Sequence, residues 1–161
     1  MGIIEKMRLD GKKGFVTGAA RGIGKSTATA FAEAGADVAI VDLDFAEAEK
    51  TAAELAGKTG RKVIAISTDC TDPEQVDAMV AQVVSELGGL DFCHNNAGIC
   101  INAPAEEMTY EQWSKVININ LNGVFLTDIA AGKYMLEHGG GSIINTASMS
   151  AHIVNVPQPQ C

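Results

Sequence analysis

Short runs of consecutive apolar residues recur along the chain, separated by longer stretches whose apolar residues follow helical spacing. A continuous apolar run is typical of a strand that is buried on both faces of a parallel sheet. Strict alternation of such strands with helices predicts right-handed crossovers on both faces of the sheet. We therefore expect a doubly wound α/β fold with strand order 3-2-1-4-5. The predicted strands are Gly14 to Val16, Val38 to Val41, Val63 to Ile66, Leu90 to His94 and Ser142 to Thr146.

Glycines and capping residues mark the ends of the predicted helices. The first helix stops at Gly35 and the second near Gly57 to Gly60, since glycine is the residue most often found just past a helix end. Asp72 and Pro73 predict the start of a third helix, because aspartate is a good N-cap and proline suits the first helical position. Gly88 and Gly89 end it.

The fourth predicted helix is the longest. Thr109 and Gln112 form a capping-box pattern at its start, and it continues to about Glu137. The residues expected to face the core are Trp113, Val116, Ile117, Leu121 and Val124. Asn120 falls on the same predicted face, so its amide would be buried and would need hydrogen-bond partners.

A glycine-rich stretch, Thr17 to Gly24, joins the first strand to the first helix. Without a Cβ, Gly18 allows a sharp turn, Gly22 allows close approach of a pyrophosphate, and Gly24 allows helix and strand to pack closely. The free N–H groups at the helix start would then face the anion, helped by the helix dipole. The alternative is structural, because glycine turns also close helix–strand joints that bind nothing.

Ligands of open α/β sheets bind where the direction of strand winding reverses, here between the first and fourth strands. The Thr17 to Gly24 loop and the Asn95 to Gly98 segment both reach that crevice. Asp42 ends the second strand, where a carboxylate can accept the hydroxyl hydrogens of an adenosine ribose. The alternative is that Asp42 only terminates its strand.

Composition excludes several classes of protein and partner. The 161 residues are 47% hydrophobic and carry a net charge of −8, which predicts a single domain over residues 1–161 and argues against nucleic acid or an anionic membrane as partner. No segment resembles a secretory signal or a membrane span, so we expect a cytoplasmic protein. The four cysteines, Cys70, Cys93, Cys100 and Cys161, lack metal-ligand spacing, and we expect reduced thiols and no metal site.

Taken in order, these motifs resemble the short-chain dehydrogenase/reductase family over nearly the whole chain. The resemblance rests on T-G-x-x-x-G-x-G at Thr17 to Gly24, Asp42, Asp69, N-N-A-G at Asn95 to Gly98, N-L-x-G at Asn120 to Gly123, and Ser148. It implies a Rossmann-type fold that binds a nicotinamide dinucleotide. Implied cofactor contacts are Gly18, Gly22, Ile23 and Gly24 at the pyrophosphate, Asp69 and Cys70 at the adenine, and Asn96, Ala97 and Gly98 at the ribose and nicotinamide. Asn120 and Ser148 match two of the family's four catalytic positions.

Some of these residues also have plain structural interpretations. Asn96 could close a turn, and Asn120 could be a core amide with its hydrogen bonds satisfied. Ser142 and Ser150 lie near the same predicted strand end as Ser148. Position alone therefore does not single out Ser148, and the resemblance to the family favours it. Arg21 is either a phosphate neighbour or a solvated surface charge. His94, His138 and His152 are interpreted as ordinary structural or surface residues.

The family's catalytic tyrosine and lysine, Y-x-x-x-K, are absent from the chain. Tyr110 and Tyr134 both precede Ser148, and neither has a lysine four residues later. Family members also have sixth and seventh strands for which no residues remain. We therefore expect the sequence to be the amino-terminal part of a longer enzyme and the 161-residue chain to be inactive.

The resemblance implies hydride transfer between a nicotinamide cofactor and a secondary alcohol or ketone. The segment Ser148 to Gln160 resembles polyol and ketose members, such as those acting on mannitol, sorbitol or xylulose. Alternatives are a 3-oxoacyl reductase and a non-catalytic dinucleotide sensor. Asp42, followed by Leu43 and not by a cation, favours NAD over NADP. We also expect a homodimer or homotetramer that associates through the fourth helix, using Trp113, Phe125, Met135 and Leu136. The alternative is that all four of these residues lie in the core.

Overall fold

The computed structural model describes residues 2–152, and these form one parallel sheet with helices on both faces. Five strands pair in the order β3-β2-β1-β4-β5, and all four pairings are parallel. This confirms the predicted fold class and strand order. The strands are β1 (Lys13–Thr17), β2 (Asp37–Asp42), β3 (Val63–Ser67), β4 (Phe92–Asn95) and β5 (Ser142–Asn145).

Helices connect successive strands, as the alternating pattern predicts. A short helix precedes the sheet, and most of the later helices begin at a side-chain cap. Asp44, Asp72 and Thr109 accept hydrogen bonds from the first turns of α3, α4 and α5, and Thr109 and Gln112 form the predicted capping box. The helices are α1 (Ile3–Lys6), α2 (Gly22–Glu33), α3 (Phe45–Thr59), α4 (Pro73–Leu87), α5 (Tyr110–Ile117) and α6 (Gly123–Glu137).

Two hydrophobic layers hold the helices to the sheet. Phe15 and Val16 are adjacent in β1, both are fully buried, and they belong to different layers because neighbouring strand residues point to opposite faces. One layer joins the sheet to α4 and α6 through residues such as Met79 and Ala131. The other joins it to α2 and α3 through residues such as Ala28 and Leu55. The sheet is therefore covered on both sides around β1.

The long fourth helix of the sequence prediction is interrupted. α5 ends at Ile117, a π-helical turn spans Asn118–Asn122, and α6 begins at Gly123. A π turn inserts one residue into the helical repeat and rotates everything that follows. Apolar periodicity does not detect such an insertion, since it assumes 3.6 residues per turn throughout.

The structure corrects several predicted orientations, both before and after the π-helical turn. Val116 is buried as predicted, but Trp113 and Leu121 are 41% and 61% exposed instead of facing the core. Met135 was predicted to be exposed, and it is only 4% exposed because it packs in the layer beside α4. Phe125 is exposed, in agreement with the prediction.

Strand β5 forms one edge of the described sheet. It pairs with β4 alone, and all four of its residues are exposed, including Ile143 and Ile144. No helix within residues 2–152 is long and apolar enough to cross a membrane.

The close approach of β1 to β4 predicts the effect of one substitution. A Cβ added at Gly14 would overlap the carbonyl oxygen and the ring of Phe92. We expect Gly14→Ala to reduce the free energy of unfolding by about 1–3 kcal/mol, the usual cost of overpacking a core. Urea-induced unfolding, followed by circular dichroism, measures the change.

Gly57→Ala is the matched control. Gly57 is an exposed residue within α3, and a Cβ there has no protein atom within 4 Å. Alanine should stabilise the helix by about 0.5–1 kcal/mol. Equal effects of the two substitutions would contradict the packing described for β1 and β4.

Candidate functional site

A cavity of about 580 Å³ opens at the carboxyl edge of the sheet, beside the ends of the paired strands β1 and β4. Its walls are the glycine loop, the ends of β2 and β3, the loop after β4, and the junction after α5. The predicted binding residues that line it are Gly18, Arg21, Asp42, Asp69, Cys70, Asn96, Ala97 and Gly98. Residues separated widely in sequence therefore meet at the crevice that strand order predicts.

The glycine loop needs its glycines for geometric reasons. Gly18 and Gly22 have φ angles of 62° and 60°, in the left-handed region that favours glycine. A Cβ at Gly18 would lie 2.8 Å from the Cα of Ala97, and one at Gly24 would overlap the carbonyl oxygen of Gly18. At Gly22, by contrast, no protein atom lies within 4 Å of the Cβ position, so the loop is open on that side.

The start of α2 has no side-chain cap. Arg21 occupies the N-cap position with an extended backbone and makes no capping hydrogen bond, whereas α3, α4 and α5 are each capped by a side chain. The first N–H groups of a helix have no partner within it. Those of Gly22, Ile23 and Gly24 can therefore bind an anion, and the helix dipole favours negative charge there.

Thr17 and Asn96 join the loops after β1 and β4. The Thr17 Oγ1 accepts hydrogen bonds from the backbone N–H groups of Asn96 and Ala97, each at 3.0 Å. The Asn96 side-chain amide donates to the carbonyl oxygens of Thr17 and Gly18 at 3.1 and 3.2 Å. Asn96 thus joins the two loops and also lines the cavity, while its contact with a cofactor stays a prediction. Thr17 is not among the predicted site residues, although it begins the glycine motif.

The Asp42 carboxylate lies between the glycine loop and α3. One oxygen accepts from Ala20 N at 3.0 Å and the other from Asp44 N at 3.1 Å. Each carboxylate oxygen has a second lone pair, so Asp42 can still accept a hydrogen bond from a ligand in the cavity. Arg21 also lines the cavity, and it pairs with Asp44 at 2.6 Å.

The loop after β3 is ordered by its own polar groups. One Asp69 oxygen accepts from the backbone N–H and the hydroxyl of Thr71 at 2.9 and 2.7 Å. Burial, with a smaller contribution from the charge of Asp69, raises the pKa of the Cys70 thiol to about 11. At neutral pH this thiol is protonated, and Cys70 offers the cavity an uncharged wall and no nucleophile.

Asn120 lies in the π-helical turn and is exposed, which corrects the prediction that it faces the core. Its Oδ1 accepts from Ile99 N and its Nδ2 donates to Ile99 O, both at 2.9 Å. The amide is satisfied by the backbone beside the cavity. It fixes the loop after β4 at Gly98, where an added Cβ would lie 3.3 Å from Asn120 Oδ1.

Five predicted site residues do not line the cavity, namely Gly22, Ile23, Gly24, Asn120 and Ser148. Ser148 lies in the turn after β5. It is exposed, and its hydroxyl accepts from Ser150 N at 3.1 Å, which caps a short 3₁₀ turn. The predicted substrate-facing segment begins at this serine. Its residues 153–160 lie outside the described part of the chain.

A network of hydrogen bonds that the sequence did not predict ties β4, β5 and α6 together. Asn95 Nδ2 donates to Asp128 Oδ1 at 2.6 Å and to Asn145 Oδ1 at 2.9 Å, and Asn145 Nδ2 donates to Asp128 Oδ2 at 3.0 Å. Sheet register places Asn95 beside Asn145. Neighbouring His94 is buried, which lowers its pKa, and its Nε2 lies 2.9 Å from Thr146 Oγ1, as expected for a structural residue.

Other lining residues were also missed by the sequence analysis. Lys115 and Ile119 reach the cavity from the end of α5 and the π-helical turn, and Thr68 reaches it from the end of β3. No motif marks these positions, because only the approach of α5 to the sheet edge creates the wall. Among residues 2–152 there is no group of three or more His, Cys, Asp or Glu arranged to hold a metal ion.

The strand order, the glycine loop and the position of the cavity define the Rossmann-type class of α/β proteins. The short chain dehydrogenase family model matches residues 12–159. The chain belongs to this family, as its motifs indicate.

Individual relatives agree with that assignment. The chain is 45% identical to a D-threitol dehydrogenase of Mycolicibacterium smegmatis, over 91% of this chain and 56% of the relative. It is 40% identical to a probable NADP-dependent mannitol dehydrogenase of Yarrowia lipolytica, over 98% and 57%. A crystal structure of a short-chain type dehydrogenase/reductase from Mycobacterium marinum superimposes with a TM-score of 0.94 at 43% identity, over 98% of this chain and 64% of that one. The chain therefore spans little more than half the length of these curated relatives, and its likeness to polyol dehydrogenases is confirmed.

The Thr17 hydroxyl generates a stability prediction. Thr17→Val leaves the N–H groups of Asn96 and Ala97 without their acceptor, so we expect a loss of about 1–3 kcal/mol in the free energy of unfolding. Thr17→Ser keeps the oxygen and serves as the matched control. Urea unfolding that showed the valine variant to be as stable as the serine variant would contradict the proposed link between the two loops.

Proposed function

We propose that this protein is an NAD-dependent oxidoreductase that transfers a hydride between the cofactor and a sugar alcohol or ketose. The observation that carries the proposal is the uncapped start of α2 beside the crevice, since its N-cap residue, Arg21, lines the same cavity as Asp42. Together they offer donors for a pyrophosphate and an acceptor for a ribose diol. Family membership adds support, since nicotinamide cofactors are what this family binds.

The chain's residues fit such a cofactor. The N–H groups of Gly22, Ile23 and Gly24 would hold the pyrophosphate, and Gly18 leaves room for it. Asp42, Asp69 and Cys70 would surround the adenosine, while Asn96, Ala97 and Gly98 would face the nicotinamide side. The bound nicotinamide supplies the hydride acceptor or donor. The protein's part is to hold and orient it.

Ser148 and Asn120 are proposed for the substrate side. The Ser148 hydroxyl would donate a hydrogen bond to the substrate oxygen, where charge develops during reaction. Asn120 holds the Ile99 backbone with its whole amide, so its proposed role is to maintain the geometry of proton transfer. The proton itself would pass to a tyrosine whose pKa is lowered by a lysine, the family's remaining pair.

The substrate class is tested by a panel. Oxidation of sugar alcohols, measured as NADH absorbance, is the result expected of the full-length protein. Preferred reduction of 3-oxoacyl thioesters would favour the acyl-reductase alternative. Tight cofactor binding without turnover of either class would favour the sensor alternative.

Cofactor preference is predicted from charge. A 2′-phosphate carries about −1.5 to −2 charges at pH 7 and would lie against Asp42. Each unit-charge pair at 4 Å costs about 1 kcal/mol in water and about 4 kcal/mol at an effective dielectric of 20. Since about 1.4 kcal/mol corresponds to a factor of ten, we expect NAD to bind about a hundredfold more tightly than NADP. Calorimetric titration with both cofactors measures the ratio.

Two variants of Asp42 sharpen that measurement. Asp42→Ala should reduce the difference in affinity between NAD and NADP. Asp42→Asn should reduce it as well, while keeping an acceptor for Ala20 N. Equal affinity of the unmodified protein for NAD and NADP would refute the charge argument.

The 161-residue chain is predicted to show no dehydrogenase turnover. General acid–base catalysis accelerates a reaction by about 10²- to 10⁴-fold. Catalytic residues that act together lose most of their rate enhancement when one of them is missing. The chain has no Y-x-x-x-K sequence to supply that help. A folded species whose intact mass matches 161 residues and which oxidises any alcohol with NAD would disprove this expectation.

We also propose self-association through α5 and α6. Trp113, Phe125 and Leu136 are 41%, 60% and 87% exposed, a concentration of apolar surface that is typical of an interface. Phe125→Asp should shift the full-length protein from a dimer or tetramer towards monomer in sedimentation. Ile3→Asp, at an exposed apolar residue outside these helices, is the control and should leave the mass unchanged.

A further inference from the structure

The Arg21 side chain lies at the cavity wall but is held there by a second carboxylate. Its Nη2 contacts Asp44 Oδ2 at 2.6 Å, across the gap between the glycine loop and the start of α3. The guanidinium is the strong phosphate-binding group of this part of the cavity, since it is planar, permanently charged and suited to bidentate contacts. In this structure the Arg21 Nη2 donates to the Asp44 carboxylate and not to a ligand.

We propose that Asp44 is a specificity-determining residue, which discriminates against a 2′-phosphorylated dinucleotide by occupying Arg21. The proposal rests on the proposed function, because it concerns the choice between two cofactors at that site. Asp42 repels a phosphate directly, whereas Asp44 acts by withholding the cation that could attract it. The cavity would thus reject NADP through two different carboxylates.

Asp44 is well fixed for this role. Its Oδ1 accepts from Glu47 N and caps α3, its own N–H donates to Asp42 Oδ1, and Oδ2 remains for Arg21. The cap holds the carboxylate where the arginine can reach it. Both side chains remain partly exposed, at 70% for Arg21 and 46% for Asp44. The ion pair therefore biases the arginine without locking it, because exposed pairs are weak.

Asp44→Asn separates the two tasks of this residue. Asparagine is as good an N-cap as aspartate, so α3 keeps its start, but its neutral amide no longer holds the guanidinium. We expect NADP to bind about five- to tenfold more tightly to this variant, from release of Arg21 and from loss of one negative charge near the phosphate. NAD affinity should change less than twofold.

Glu54→Gln is the matched control. Lys25 and Glu54 form another 2.6 Å ion pair between α2 and α3, and neither residue lines the cavity. This substitution removes the same charge and the same kind of tether, and it should leave both affinities unchanged. An equal gain in NADP affinity from Glu54→Gln would overturn the proposal, because net charge alone would then explain the effect.

The double variant Arg21→Gln/Asp44→Asn tests the mechanism, with calorimetric titration of the full-length protein as the measurement. Asp44→Asn should raise NADP affinity by less in the Arg21→Gln background than in the unmodified protein, because only the contribution from the lost charge of Asp44 remains when the arginine is absent. An unchanged NADP affinity in Asp44→Asn, with NAD still bound, would overturn this inference and leave the proposed function standing. Failure of the unmodified protein to bind either dinucleotide would refute the proposed function and this inference with it.

Discussion

The hydrogen bonds between the ends of β1 and β4 are the constraint on which the candidate site depends. Thr17 accepts from two N–H groups of the β4 loop, and Asn96 donates back to two carbonyl oxygens of the β1 loop. The joined loops form part of the cavity wall through Gly18, Asn96 and Ala97. At the start of α2, a Cβ on Gly22 would have no protein atom within 4 Å, so the first N–H groups of this uncapped helix are available to an anion.

Positive and negative groups lie on different elements around this crevice. α2 brings a positive dipole end and Arg21, while the β2–α3 connection brings Asp42 and Asp44. A pyrophosphate at the helix start and a ribose diol at the strand end would each meet the sign or donor they need. The overall charge of −8 has little bearing on such a site, because local backbone donors hold the anion.

The side chains of Asn120 and Asp128 hold neighbouring segments against the ends of the strands by hydrogen bonds. Asn120, exposed in the π-helical turn, fixes the backbone at Ile99 beside the cavity. The Asp128 carboxylate collects amide donors from Asn95 and Asn145, so that α6 holds the ends of β4 and β5 together. Both arrangements depend on partners distant in sequence.

The sequence by itself determined the fold class, the strand order, the caps of α4 and α5, and half of the cavity-lining residues. Those features are local or periodic: strand runs, capping residues and glycine spacing act within a few residues of each other. Only the tertiary structure decided that Asn120 and Leu121 are exposed and Met135 buried, because one extra residue in the π turn rotates the helix without leaving a mark in composition. It also decided the pairing of Arg21 with Asp44 and the joining of β4, β5 and α6 by Asp128, since such contacts exist only once the strands have paired.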